Sequence, residues 1–482
     1  MELRRRGAHK RWRCAALVAT LAGAAPAMAQ DTAWLDALLQ RYRIAPSGFS
    51  LYAHEVGQPA PLVSFGADIP RNPASTMKLL TTLVALEELG PAYIWKTEAY
   101  TAGVVKDGRL NGDLYLKGYG DPYLITESFW GLLNGVRQMG VKHIAGDLVL
   151  DGSYLQPDSD GPADFDGQSW RAYNTLPSAL LVNFQAINLR FIPDSQQRRL
   201  TVFADPHPDN LVIENRARLT GGGCRGGWGR QLNVQLVHAP ARHIMKIGGA
   251  YPAACGERDI YRVLSDAPAH VFGVFKSLWQ QQGGVIDGGL REAPLPAAAQ
   301  RLYGVDSRPL SDILRGINKY SNNVMTRQLV LTLGAERKGV PGTTANGLAV
   351  IREWLQREGF DFPELVLENG VGLSRVERIS ASHLGALLLR GYNGRYMPEY
   401  LSSLPIAGVD GTLQKRFVNT ALQGRVHAKT GSIDNVKSFA GYVLDARGRR
   451  VAVVMVHNGA AADTYAAEQL QEAVLQRLYT RP

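Results

Sequence analysis

The stretch Arg71-Asn72-Pro73-Ala74-Ser75-Thr76-Met77-Lys78-Leu79-Leu80-Thr81-Thr82 constrains this chain most, because it predicts a helix that begins abruptly and carries a hydroxyl and an amine on one face. Asn72 can cap the first free backbone donors, and Pro73 suits the first helical position, where its missing N–H is no loss. Ser75 then falls in the first turn and Lys78 on the next, within reach of each other. A serine beside a lysine is a nucleophile beside a base. The pair alone is a weak signal, since Ser-x-x-Lys recurs by chance in long chains and an ordinary helical turn is the bland alternative. Leu79, Leu80, Leu83, Leu86 and Leu89 continue the helix as a core element until Gly90-Pro91. What the pair means depends on the partners that the rest of the chain supplies.

The N-terminus reads as a secretory leader over residues 1–29. Arg4, Arg5, Arg6, Lys10, Arg11 and Arg13 precede an apolar run from Ala15 to Ala25, and Ala27-Met28-Ala29 offers a cut after Ala29. The run is short for a membrane span, and no later segment reaches the length one needs. The mature chain is therefore expected in the periplasm, with an uncleaved anchor as the alternative. The whole sequence has 53 Lys plus Arg against 43 Asp plus Glu; residues 1–29 hold six of the basic and one of the acidic residues, which leaves 47 against 42. That modest, scattered excess argues against nucleic acid as a partner and suits loose association with anionic envelope polymers. Cys14 leaves with the leader. Cys224 and Cys255 form an even pair in an oxidising compartment, so a disulfide is expected, with two buried thiols as the alternative. No His, Cys or carboxylate cluster has metal-ligand spacing, and no cofactor is expected.

Periodicity divides the mature chain in three. Residues 30–96 carry a first helix over 31–47, strands at Phe49–His54 and Pro61–Phe65, and the Ser75 helix. Residues 97–304 change to short alternating segments separated by Gly, Asp and Pro, with helices at Glu127–Gln138 and near Ala269–Gln281, and read as one or two mostly β accessory domains. The glycine-rich run 221–227 lacks the Lys-Ser/Thr ending of a phosphate loop and reads as a surface loop. Residues 305–482 return to helices at Leu310–Ile317, Asn322–Leu333, Thr344–Glu358 and Ile379–Gly391. Strands then follow at Arg425–Lys429, Val436–Leu444 and Arg450–Val456, with a terminal helix over about 464–478. The expected fold is α+β: an antiparallel sheet with helical layers built from both chain ends, interrupted by the β-rich insertion.

Two later motifs join the Ser75 pair in order. Tyr320-Ser321-Asn322-Asn323 precedes an apolar helix, and Ala428-Lys429-Thr430-Gly431-Ser432 ends a strand. Ser-x-Asn by itself is ordinary helix-cap material. Ser75-x-x-Lys78, Ser321-x-Asn323 and Lys429-Thr430-Gly431 in one chain resemble the active-site signature shared by penicillin-binding proteins and serine β-lactamases. The long insertion after the first motif, the leader and Asn369-Gly370-Val371-Gly372-Leu373-Ser374-Arg375 resemble, more narrowly, the DD-carboxypeptidase/DD-endopeptidase family of low-molecular-mass penicillin-binding proteins. So do Gly120-Asp121-Pro122, Gly146-Asp147-Leu148-Val149 and Pro177-Ser178-Ala179-Leu180 with Asn183. In the 369–375 segment the family pattern has Asp where this chain has Asn369 and Ser where it has Val371.

The resemblance implies a penicillin-binding-protein-like transpeptidase fold and a serine hydrolase of peptidoglycan stem peptides. It would release terminal D-Ala and cut D-Ala cross-links. Ser75 would be the nucleophile that carries the acyl group and Lys78 its general base, which requires a neutral amine. Ser321 would relay the proton to the departing amine, while Asn323 holds the substrate amide and Lys78. Lys429, Thr430 and Gly431 would meet the substrate carboxylate, and the N–H groups of Ser75 and Ser432 would receive the oxyanion. Asn369, Leu373 and His427 are further substrate-contact candidates, His427 because it shares a strand face with Lys429, with a structural or rim role as the favoured alternative for that histidine. The implied partners are a pentapeptide or cross-linked peptide and β-lactams as covalent inhibitors, and self-association is left open. Rival readings are a β-lactamase, a D-aminopeptidase or esterase relative, and, from another class, an inactive peptidoglycan-binding scaffold.

Overall fold

Six consecutive apolar residues, Val451-Ala452-Val453-Val454-Met455-Val456, lie in the middle strand of a five-stranded antiparallel sheet. Successive side chains of a strand point to opposite faces, so an unbroken apolar run belongs to a strand covered on both sides. Val451, Val453 and Met455 pack with Leu35, Leu39, Leu470 and Val474 from the first and last helices, Ala33–Arg41 and Tyr465–Tyr479. Ala452, Val454 and Val456 face Leu79, Leu83, Leu384 and Leu388 in the other helical layer. The strand order is Val426–Ile433, Val436–Leu444, Arg450–Asn458, Phe49–Glu55 and Val63–Phe65, so both chain ends build one sheet.

The computed structural model describes residues 32–158, 161–224, 228–239, 242–264, 266–460 and 462–481. The expected leader with its cut after Ala29, Cys14, and positions 225–227 of the glycine-rich run lie outside the described residues. Residues between the two halves of the sheet form sheets of their own. A mixed five-stranded sheet pairs Lys96–Thr101 with Gln300–Asp306 in antiparallel register, so this segment begins and ends on neighbouring strands. Helices Thr126–Gln138 and Ala267–Gln281 cover its core, with Phe129, Leu133, Phe275 and Trp279 buried. Strands between 186 and 263 surround a separate apolar cluster of Phe191, Met245 and Tyr251. Cys224 and Cys255 are joined as a disulfide, Cα atoms 4.8 Å apart.

Several local expectations change. The first helix stops at Arg41 rather than near 47, because Arg43 takes a left-handed φ of 56°, yet Ile44 stays buried against the same cluster. The strand expected over Arg425–Lys429 runs on to Ile433 and turns through Asn435 (φ 61°) into its neighbour. Short strands such as Arg109–Asn111 and Val285–Ile286 are too brief to show a period of two in the sequence. Among the described residues no helix is long and apolar enough to cross a membrane.

Candidate active site

Ser75 lies on a single 3₁₀ turn, Ala74–Met77, and the α-helix proper begins at Lys78 and runs to Leu89. This corrects the simple cap expected at Asn72-Pro73. Ala74 takes a left-handed φ of 44°, and Asn72 Oδ1 accepts from the Ala74 N–H at 2.9 Å while its amide donates to the Ser374 carbonyl at 2.8 Å. Asn72 therefore braces a bent entry instead of capping the helix. The bend is closed from both sides by glycine: a Cβ on Gly372 would lie 1.9 Å from the Ala74 carbonyl oxygen, and one on Gly431 would lie 2.8 Å from the Ser75 nitrogen. Only residues without a Cβ allow the two strips of backbone to approach the Ser75 turn this closely.

Lys78 is fully buried, with Nζ 3.0 Å from Ser75 Oγ, 2.8 Å from Asn323 Oδ1 and 2.6 Å from the Val371 carbonyl oxygen. Burial holds its pKa well below that of a free lysine, and the charges of Lys429 and Arg327 push the same way, while Glu377 opposes them. A neutral amine has two N–H bonds and one lone pair. Asn323 Oδ1 and the Val371 carbonyl can only accept, so they take the two N–H bonds and the lone pair is left facing the Ser75 hydroxyl.

The Ser321-Asn322-Asn323 segment divides its labour. Asn322 caps the helix Asn323–Lys338 by accepting from the Met325 N–H at 3.0 Å, which frees Asn323 to reach Lys78. Ser321, in the left-handed region at φ 57°, closes the preceding helix Leu310–Tyr320 and accepts from Lys429 Nζ at 2.8 Å. Lys429 is itself fully buried, also donates to the Thr430 carbonyl at 2.6 Å, and has its pKa lowered by desolvation to about 7.

Lys429, Thr430, Gly431 and Ser432 lie on the outermost strand of the sheet. The first half of its outer edge is covered, with the Ala428 N–H donating to the Pro405 carbonyl. Backbone groups of an antiparallel strand alternate between its two edges, so Thr430 and Ser432 present theirs on the same side as Ala428. Thr430 Oγ1 bonds Thr412 Oγ1 at 2.8 Å, and Ser432 is exposed.

The Asn369–Arg375 segment reaches the site through its backbone. Asn369 spends both amide atoms inside the turn, accepting from the Val371 N–H at 2.9 Å and donating to the Leu373 carbonyl at 3.0 Å. Val371 buries its side chain and offers Lys78 only its carbonyl, which any residue could supply. Glu377, two residues past the segment, was not legible as a site residue. Set in Arg375-Val376-Glu377-Arg378 it has the pattern of a solvated charge run, yet it is fully buried.

A cavity of about 230 Å³ adjoins these residues, lined among others by Asn369, Leu373, Arg375, Phe165 and Arg327. The middle segment reaches in here: Asn323 Nδ2 donates to the Tyr173 carbonyl at 3.3 Å and Arg327 to that of Thr175 at 3.3 Å. The half-buried His427 ring faces Arg450, Lys319 and Asp410 and the backbone of Leu401, with its pKa lowered by burial and by Arg450. A larger cavity of about 610 Å³, lined by Trp170, Leu236, Met245 and Leu264, lies away from Lys78. Among the described residues no group of three or more His, Cys, Asp or Glu is placed to hold a metal ion.

Residues 32–480 match the D-Ala-D-Ala carboxypeptidase 3 (S13) family. The chain is 30% identical over 481 residues to a D-alanyl-D-alanine carboxypeptidase of Actinomadura sp. (strain R39), covering 95% of this chain and 88% of that one. It is 26% identical over 388 residues to the D-alanyl-D-alanine carboxypeptidase DacB of Haemophilus influenzae, covering 80% of each. The crystal structure of penicillin-binding protein 4 from Haemophilus influenzae superposes with a TM-score of 0.76 at 23% identity, over 93% of this chain and 99% of that one. That protein has also been solved in complex with a β-lactam.

Proposed function

We propose, because the chain belongs to the D-Ala-D-Ala carboxypeptidase 3 (S13) family, that it is a serine DD-carboxypeptidase acting through an acyl-enzyme on Ser75. The observation that carries the assignment of residues is the buried Lys78 amine, held at once by Ser75 Oγ, Asn323 Oδ1 and the Val371 carbonyl. An amine so placed is a base for the one hydroxyl it touches.

In this reading the terminal D-Ala carboxylate of a stem peptide meets Lys429 and the Thr430 hydroxyl. The extended peptide pairs with the open edge at Thr430 and Ser432, which offers main-chain bonds to any strand-like substrate. Ser75 Oγ attacks the carbonyl carbon of the penultimate D-Ala as its proton passes to Lys78 Nζ. The oxyanion forms between the N–H groups of Ser75 and Ser432, donors that lower the barrier where charge develops. The C–N bond breaks as the proton returns through Ser321 to the leaving amine, and free D-Ala departs. Water then attacks the ester, gives its proton to the same base, and releases the shortened peptide and the Ser75 hydroxyl. A β-lactam follows the first half of this path, but its amine stays tethered and the ester persists.

Cleavage of D-Ala cross-links is proposed as a second activity of the same site, supported by the cavity beside Asn369, Leu373 and Arg375, which leaves room beyond a single amino acid. Residues 97–304 are read as accessory domains within a catalytic domain formed by 30–96 and 305–482, and the leader directs the chain to the periplasm. Mass spectrometry of the protein with penicillin and with a D-Ala-D-Ala pentapeptide tests the reading. A stoichiometric adduct on Ser75 and released D-alanine are expected. Rapid repeated hydrolysis of penicillin would favour a β-lactamase, and no adduct at all would favour an inactive scaffold.

A further inference from the structure

Glu377 is fully buried, and its carboxylate is wrapped by the backbone of the glycine-rich turn. Oε1 accepts from the N–H groups of Glu368 at 3.3 Å, Asn369 at 3.0 Å and Gly370 at 2.7 Å, and Oε2 accepts from Gly372 at 2.9 Å. Gly370 and Gly372 take left-handed φ angles of 69° and 82°, which lets consecutive N–H groups converge on one anion. Val371 stands between these two anchored glycines, and its carbonyl is the one that accepts from Lys78 at 2.6 Å. Thr81 Oγ1 donates to the Gly370 carbonyl and ties the same turn to the helix that carries Lys78.

Charge points the same way as geometry. Lys78 is faced by Lys429 from the edge strand, by Arg327 from the helix Asn323–Lys338 and by Glu377 from the turn. Glu377 is thus the acidic group that acts on Lys78 beside two basic ones. Burial raises its pKa, while the four N–H donors favour its charged form and offer nothing to accept a proton.

We propose that Glu377 is a positioning residue of this active site: it holds the Val371 carbonyl where that oxygen takes one N–H of Lys78, and its charge offsets the effect of Lys429 and Arg327 on Lys78. The proposal rests on the reading of Lys78 as base for Ser75. With the Val371 carbonyl displaced, nothing compels the second N–H of Lys78 away from Ser75, and the lone pair loses its direction. A merely structural Glu377 would affect how much protein is active, and would leave the pH at which the base becomes competent unchanged.

The test is the second-order rate of Ser75 acylation by a fluorescent penicillin, measured across pH on Glu377→Gln and Glu377→Asp, with circular dichroism to establish the fold. Glutamine keeps the shape but sets its NH₂ against the Gly372 N–H, donor to donor, and removes the charge. The expected result for Glu377→Gln is a plateau lowered about tenfold and an acid limb moved to lower pH by about half a unit or more, since the anion favouring the Lys78 ammonium is gone. Glu377→Asp should keep the limb near its original pH and remain slow. A folded Glu377→Gln with an unmoved acid limb overturns the proposal. If that variant does not fold, Thr81→Val decides, because it cuts the other tie of the turn and keeps the anion. A lowered plateau with an unmoved limb is then expected, and a Thr81→Val rate equal to the unaltered protein's overturns the proposal. Lys78→Ala separates the two levels: if it still acylates, the base reading falls and this inference with it. If it is inactive while Glu377→Gln behaves as the unaltered protein, only the role of Glu377 falls.

Discussion

Asn323 Oδ1 accepts a 2.8 Å hydrogen bond from Lys78 Nζ across 245 positions of sequence, and that bond joins the two separated halves of the sheet-and-helix body beside Ser75. Because the oxygen can only accept, it orients the amine as well as holding it. Asn323→Asp keeps the size and adds a negative charge beside Lys78, which favours the ammonium form. Acylation of Ser75 by penicillin should slow by about a hundredfold near neutral pH and its acid limb should move to higher pH, the opposite direction from Glu377→Gln. Stopped-flow fluorescence over a pH series measures both.

Lys429 gives the pH profile its other side. Desolvation lowers its pKa to about 7, so the free protein loses that positive charge as pH rises through this value. The second-order rate for a penicillin bearing a free carboxylate should fall above that pH, because it reports the ionisation of the free enzyme. The methyl ester of the same penicillin has no anion to lose and should lack the falling limb. Equal alkaline limbs for acid and ester would remove Lys429 from carboxylate recognition.

The same group makes a stability prediction. A lysine whose folded pKa lies below its unfolded value binds fewer protons when folded, so its cost to stability is greatest below pH 7 and declines from there towards 10.5. The slope is about 1.4 kcal/mol per pH unit. Lys429→Met has no such group, so its stability advantage over the unaltered protein should shrink by about 3 kcal/mol between pH 7 and pH 9.5. Urea unfolding at the two pH values checks this, and a constant difference contradicts it.

Gly372 is needed for contact as well as for conformation. With φ at 82° and the Ala74 carbonyl 1.9 Å from where a Cβ would stand, Gly372→Ala must displace the Ser75 turn. Gly448 has a similar φ of 79° in the hairpin after Asp445, with no atom within 4 Å of such a Cβ. Gly448→Ala should cost about 1 kcal/mol from backbone strain alone. Gly372→Ala should cost more than about 3 kcal/mol and lose acylation at Ser75. Thermal unfolding and penicillin labelling of the two variants form the comparison.

The Cys224–Cys255 disulfide closes a loop across 31 positions. Replacing both cysteines with serine should lower stability by about 2–4 kcal/mol, in line with the loop length. Penicillin labelling of Ser75 should persist at its original rate, because the disulfide lies in the middle segment. Urea unfolding with a labelling assay on the same sample separates the two effects.

Much of the site was legible because its side chains come in short local motifs. Ser75 and Lys78 are one helical turn apart, and the strand expected over Arg450–Val456 lies within the observed Arg450–Asn458. The bounds of the strand Val436–Leu444 and, to within one residue, of the helix expected over Glu127–Gln138 and found over Thr126–Gln138 followed from local pattern. The bent entry at Ala74 was not legible, because it exists only where the backbones of Gly372 and Gly431 press on it. The motif pointed to Asn323 as the partner of Lys78, but the role of Asn322 as the helix cap beside it was not legible, since two adjacent asparagines look alike until one meets a partner.

By itself the amino-acid sequence determined the family, the layered sheet with helices from both chain ends, and the residue types that meet at the site, because those are carried by local spacing and hydrophobic pattern. Only the tertiary structure decided the state of the groups. Lys78 and Lys429 are desolvated by burial, the lone pair of Lys78 is aimed by acceptors from two distant segments, and Glu377 becomes a buried anion instead of a surface charge. Proton affinity and hydrogen-bond direction depend on what surrounds a group in space, and that neighbourhood is assembled from positions hundreds of residues apart.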